Sequence, residues 1–185
     1  MKRPPMKMAL FMLAAGVAVY AFGETVKYAP LENMERNFEM KLLKNQGKQP
    51  FQTLSNAPAI YVPGAGVMLT ARVNLVYATL ESPFLQTTPA EFAALKERLR
   101  RSKLEKVPVL EQNMRECLAE AAALSDFDAV PPNEQFAIGV SLFYFPKEDS
   151  TGLPRQITMN APKQKLLNAI RDKVDLKTVI EEQKQ

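Results

Sequence analysis

The stretch that most restricts the fold is AIYVPGAGVMLTARVNLVYA, residues 59–78. Val67, Leu69, Ala71, Val73, Leu75 and Tyr77 alternate with the more mixed set Met68, Thr70, Arg72, Asn74, Val76 and Ala78. A period of two puts the sets on opposite faces of an extended chain, so this is a strand with one face in a core. A shorter apolar run, Ala59 to Val62, precedes it, and Pro58 keeps that run out of a sheet centre. Between them lies Pro63-Gly64-Ala65-Gly66. Proline presets a turn angle and glycine accepts positive φ, which a tight reversal needs. A phosphate-cradling loop would instead run from a strand into a helix, with Lys after its last glycine. Here Gly66 enters a strand and no Lys follows. The pattern is a hairpin, with Gly64 and Gly66 as structural turn residues.

The remaining elements follow from periodicity. Leu31, Met34, Phe38 and Leu42 fall at helical spacing, which predicts a helix over residues 31–46 with its apolar face in the core. Residues 48–58 read as a polar connector. Thr88-Pro89-Ala90-Glu91 is a capping box with Pro at the first helical position. The apolar spacing then continues to Ala121, interrupted at Pro108, so two helices or one kinked helix are expected. In QFAIGVSLFYF, residues 135–145, Phe136, Ile138, Val140, Leu142 and Tyr144 share one strand face. Ala137, Gly139, Ser141, Phe143 and Phe145 share the other, which is also largely apolar. RQITM pairs back as a fourth strand. A closing helix turns Leu166, Leu167, Ile170 and Val174 inward, and EEQKQ, residues 181–185, is a frayed tail. The order α–ββ–αα–ββ–α predicts an α+β two-layer domain: a four-stranded, mainly antiparallel sheet with helices on one face.

The first 23 residues, MKRPPMKMALFMLAAGVAVYAFG, have a cationic start, an uncharged run of 15 residues from Met8 to Phe22, and small residues at its end. This is the pattern of a secretory signal peptide, cleaved after Gly23 or Ala21. The alternative, an uncleaved anchor, needs about 20 apolar residues. No Cys follows the run, so a lipoprotein is not expected. Residues 24–58 then form an N-terminal helix and connector, and residues 59–180 the α+β domain. Three of the 24 Lys and Arg lie in the leader, leaving 21 against 20 acidic residues. A nearly neutral mature chain has no bulk field to draw in nucleic acid.

The chain has no His, which removes His-based triads and general bases and most zinc sites. Cys117, the lone cysteine, falls on the apolar side of its helix and reads as a buried, unreactive thiol. Asp126 and Asp128 lack the further oxygen ligands of a calcium loop. Ser102 and Lys103 are adjacent, so their side chains diverge on a helix. No catalytic, cofactor-binding or metal-binding residues are therefore expected. Two features suggest interaction instead. Phe143 and Phe145 lie on a strand face that needs a cover, either from the chain itself or from a partner. Arg98 and Arg101 lie in the basic segment LKERLRRSKLEK, which reads as a solvated helix face or a weak contact with a membrane surface.

The run NAPAIYVPGAGVMLTARVNL and the later LPRQITMNAPKQKLL resemble the strand–turn–strand and closing strand–helix of small exported bacterial proteins of unknown function. The resemblance covers about a third of the chain and implies export to the periplasm or beyond. It carries no site residue. The expected function is a non-catalytic interaction or ligand-binding module of the cell envelope, its partner another envelope protein or its own copy. The alternatives are a His-free, carboxylate-based hydrolase and a peripheral membrane-binding protein.

Overall fold

A computed structural model of the chain describes residues 26–44, 50–76, 88–146 and 148–185. The expected leader lies outside the described residues. Among the described residues the fold is α+β, with three α-helices on one face of a mixed six-stranded sheet. In chain order the elements are α1 (Tyr28–Leu43), β1 (Gln52–Thr53), β2 (Ala59–Val62), β3 (Gly66–Asn74), α2 (Pro89–Ala123), β4 (Gln135–Leu142), β5 (Gln156–Pro162), α3 (Lys163–Asp172) and β6 (Glu181–Lys184). The sheet order is β1-β3-β4-β5-β6, with β2 also pairing β3.

Both expected hairpins form: β2 pairs antiparallel with β3, and β4 with β5. The alternation in β3 is kept, with Val67, Leu69, Ala71 and Val73 buried and Met68, Thr70 and Arg72 exposed. Three expectations change. The hairpins join through β3 and β4, which run parallel because α2 crosses over between them, so the sheet is mixed. The connector supplies β1, whose Gln52 and Thr53 pair with Asn74 and Val73. The expected frayed tail is β6, paired with β5 from Ile157 to Asn160. Its outward charges suit an edge strand, and they masked its β character in the sequence.

Helix α2 is a single element of 35 residues with Pro108 inside it, so of the two expected forms, a pair of helices or one helix through Pro108, the second is found. A proline costs a helix interior about 3 kcal/mol. Here the buried stripe continues across it, through Leu99, Lys103, Lys106 and Val107 to Leu110, Met114 and Cys117. Pro108 itself is exposed, and packing on both sides of it outweighs one lost hydrogen bond. At 1.5 Å per residue α2 is about 52 Å long, against about 27 Å for β4. Its first ten residues contain none that is buried.

Helix α2 packs between α1 and α3 over the sheet. One core joins Met34, Phe38 and Leu42 of α1 to Leu110, Met114 and Leu118 of α2 and to Leu69, Ile138 and Met159 of the sheet. In α3, Leu166 joins this core, and Ala169 is also buried. Leu167 is half-buried, Ile170 lies on the exposed side of α3, and Val174 is exposed past the helix end at Asp172, where Lys173 takes φ 55. Apart from the exposed pair Ile60 and Met68 where β2 meets β3, the opposite sheet face carries small and polar residues in register. One row runs Met68–Ala137–Asn160–Glu181, the next Thr70–Gly139–Thr158–Gln183, and the third Arg72–Ser141–Gln156. Phe143 and Phe145 are not at the centre of that face, because β4 ends at Leu142.

Candidate ligand cleft

Where β3 and β4 end, the chain opens into a loop, described over residues 143–146 and 148–155, before returning as β5. The loop leaves the sheet beside β3, with Phe143 N–H donating to the Val73 carbonyl at 2.9 Å. It then folds around one buried ion pair. Lys103 Nζ lies 2.6 Å from Glu148 Oε1, and both side chains are wholly buried. The same ammonium donates to the Phe143 carbonyl at 3.3 Å and lies 4.8 Å from the Tyr144 ring centroid. The other carboxylate oxygen, Oε2, accepts the Phe145 N–H at 2.9 Å. Tyr144 Oη donates to the Pro154 carbonyl at 2.6 Å and so ties the two arms of the loop together. Helix α2 adds a surface clamp: Arg100 pairs with Asp149 at 3.7 Å and donates to the Thr151 carbonyl at 3.4 Å.

These contacts shape a cleft of about 410 Å³, lined by Arg72, Leu142 to Pro146, Glu148, Ser150 and Arg155. Phe143 and Phe145 are half-buried and meet edge to face, centroids 5.0 Å apart. Arg72 reaches from the open sheet face to lie 5.3 Å from the Phe143 centroid, within cation–π range. Burial lowers the Lys103 pKa, opposed by its hydrogen bond and charge pairing with Glu148. Burial, then the Glu148 charge, pushes the Tyr144 phenol up to about 12, while Arg155 pulls it down. The hydrogen bonds from Thr151, more than the charge of Arg100, hold Asp149 below the usual carboxylate range.

The cleft therefore brings Phe143 and Phe145 together, on a loop rather than a strand face. Arg98 and Arg101 are not part of it. Both are exposed on α2, and Arg101 pairs with Glu97 at 3.7 Å. Four residues of the site escaped the sequence reading: Arg72, Lys103, Glu148 and Arg155. Lys103 had a legible signal. Leu99, Lys103, Lys106 and Leu110 share one helical stripe, so a lysine at 103 sits where an apolar residue belongs.

Elsewhere the chemistry is structural. Gly64 and Gly66 form the β2–β3 turn at φ 83 and φ 119, and the Gly64 N–H donates to Glu134 Oε1 at 2.8 Å. A Cβ on Gly66 would lie 1.9 Å from the Gln135 carbonyl oxygen. Cys117 is fully buried, and burial pushes its thiol up to about 12. A second groove, about 540 Å³ between α1 and α2, is lined by Lys41, Lys44 and residues of α2. There Lys41 is already held by Glu116 at 3.2 Å and Glu120 at 2.8 Å. Among the described residues no cluster of three potential metal ligands occurs, and no helix is long and apolar enough to cross a membrane. Comparison with protein-family models, curated proteins and solved structures gave no match.

Proposed function

We propose that the chain is an exported, non-catalytic domain that works by binding, and that the cleft beyond β3 and β4 is its binding site. The observation that carries this reading is the buried Lys103–Glu148 pair. Burying two charges costs several kcal/mol per ion before their attraction and hydrogen bonds offset it. The pair's hydrogen bonds all go to the 143–148 segment, so the cost supports a loop of fixed shape. That loop displays two half-buried aromatic rings beside arginines, at the carboxyl ends of a parallel strand pair. Open sheets of this kind commonly place ligands at such ends. Binding fits the groups better than acid–base chemistry does. Burial pushes the Tyr144 phenol up to about 12, its O–H is engaged in a hydrogen bond to the Pro154 carbonyl, and the Lys103 charge is engaged by Glu148.

Two measurements test the proposal. The intact mass of protein recovered from the envelope should begin after Gly23 or Ala21; a full-length product held in membranes rejects export. For binding, amide resonances of residues 142–155 in the mature protein should move when a small-molecule fraction of envelope extract is added. Phe143→Ala should abolish that response with little change in melting temperature. Shifts confined to the α1–α2 groove would reject the cleft.

A further inference from the structure

We infer that the cleft binds an anionic group, carboxylate or phosphate, carried on an apolar body and held between Arg72 and Arg155. The inference rests on the binding reading above and adds the chemistry of the ligand. Both arginines line the same cleft and are exposed, the Arg72 guanidinium over Phe143 and the Arg155 charge near enough to act on Tyr144. Neither enters an ion pair among the described residues, although Arg100, Arg101, Arg115 and Arg171 all do. The cleft's own carboxylate cannot serve them. Glu148 is wholly buried, with one oxygen 2.6 Å from Lys103 and the other accepting the Phe145 N–H. Two positive charges thus face a neutralised pair across a partly enclosed space.

Arginine suits this role because its planar fork presents paired N–H donors that match a carboxylate or phosphate edge. Arg72 is already oriented. Its guanidinium lies against the Phe143 ring, which steadies the group while leaving N–H edges available for a ligand. The Ser150 hydroxyl, with no hydrogen bond of its own among the described residues, adds a donor in the same lining. Phe143 and Phe145 supply the wall for an apolar body next to the charge.

The test is a titration of mature protein followed by amide resonances of residues 142–155. Benzoate and phenyl phosphate serve as probes, and benzyl alcohol is the same ring without charge. Both anions should shift the cleft resonances saturably, at least about tenfold more tightly than the alcohol, and more weakly as salt rises. The tighter of the two anions identifies the headgroup the cleft prefers. Arg72→Gln and Arg155→Gln should each weaken anion binding about tenfold. The lysine variants keep the charge, lose the fork, and should fall between wild type and glutamine. Benzyl alcohol binding as tightly as benzoate would overturn the inference yet leave an apolar binding cleft standing. No cleft shift with either anion, or unchanged affinity in both glutamine variants, would also overturn it. The extract experiment above then decides separately whether the cleft binds anything.

Discussion

The β3–β4 pair finishes differently at its two ends, although both ends use the same parts. Each buries a glutamate that accepts a backbone N–H and lies near a tyrosine: Glu134 with Gly64 and Tyr61, Glu148 with Phe145 and Tyr144. At the first end the turn between β2 and β3 is short, and Gly66 presses on the Gln135 backbone with no space for a methyl group. Among the described residues no lysine pairs with Glu134, whose Oε1 accepts the Gly64 N–H while Oε2 has no hydrogen-bond partner. At the second end thirteen residues separate β4 from β5. Glu148 is drawn fully inside, and α2 supplies Lys103 to match it. The tight end is specified by steric fit. The open end is specified by charge, which leaves room for a cleft and makes the loop dependent on one ion pair.

The largest expected effect breaks the open end. Lys103→Met leaves Glu148 buried without its counter-ion and should cost about 3–5 kcal/mol in chemical denaturation. Adding Glu148→Leu should recover much of that stability, because an apolar pair of similar volume can replace a buried ion pair. The cleft amides should nonetheless differ from wild type in the double variant, since Phe145 N–H loses its acceptor. A single variant losing less than about 1 kcal/mol would mean that the pair does not hold the loop.

The next effect breaks the tight end. Gly66→Ala combines a strained φ of 119 with a backbone clash and should cost about 3 kcal/mol. Gly64→Ala, at φ 83 with open space around it, carries only the backbone strain, about 1 kcal/mol. Thermal melts of the two variants side by side check this. Equal losses would show that the contact with Gln135 relaxes freely and that the end is not sterically specified.

How far each end could be read from the sequence follows the same division. The tight end was legible because it is local: Pro63, Gly64 and Gly66 lie between two alternating runs, and hairpin chemistry depends on adjacent residues. The α1 stripe and the alternation in β3 were legible for the same reason. The parallel pairing of β3 with β4 was not, since it depends on where a 35-residue crossover helix places β4, and short runs carry no direction. Nor was the role of β6, because Glu181 to Lys184 lack the apolar signature of a strand and owe their state to the β5 edge and to α2. Arg115 reaches Glu182 at 2.5 Å, and Lys184 reaches Glu111 at 2.6 Å. The open end joins Arg72, Lys103, Glu148 and Arg155 from three separate stretches, β3, α2 and the connection between β4 and β5. Only the lysine on an apolar helical stripe left a trace in one dimension.

The smallest effect separates the two tyrosines. The Tyr144 phenol is pushed up to about 12, chiefly by burial, and burial with Glu134 also raises Tyr61. Between the ordinary value of 10.0 and about 12, folded Tyr144 keeps a proton that the unfolded chain has released. The folded state then binds more protons, so stability should be intact below pH 10 and fall as pH rises toward 12. Cys117 acts in the same sense from its ordinary 9.0 upward, its thiol being pushed up to about 12. Lys103 acts in the opposite sense. Its folded pKa lies below 10.5, so the unfolded chain holds that proton longer and folding gains as pH rises toward that value. Tyr144→Phe in a Cys117→Ala background isolates the phenol. It should lose about 1 kcal/mol at neutral pH with the hydrogen bond to Pro154, and then decline less steeply in alkali than its parent. Tyr61→Phe in the same background should change the alkaline slope less, because Tyr61 is far less buried. Denaturation midpoints measured across this pH range decide the matter. Equal slopes for the two variants would mean that the tyrosines sit in equivalent surroundings, and that the ends differ in the lysine alone.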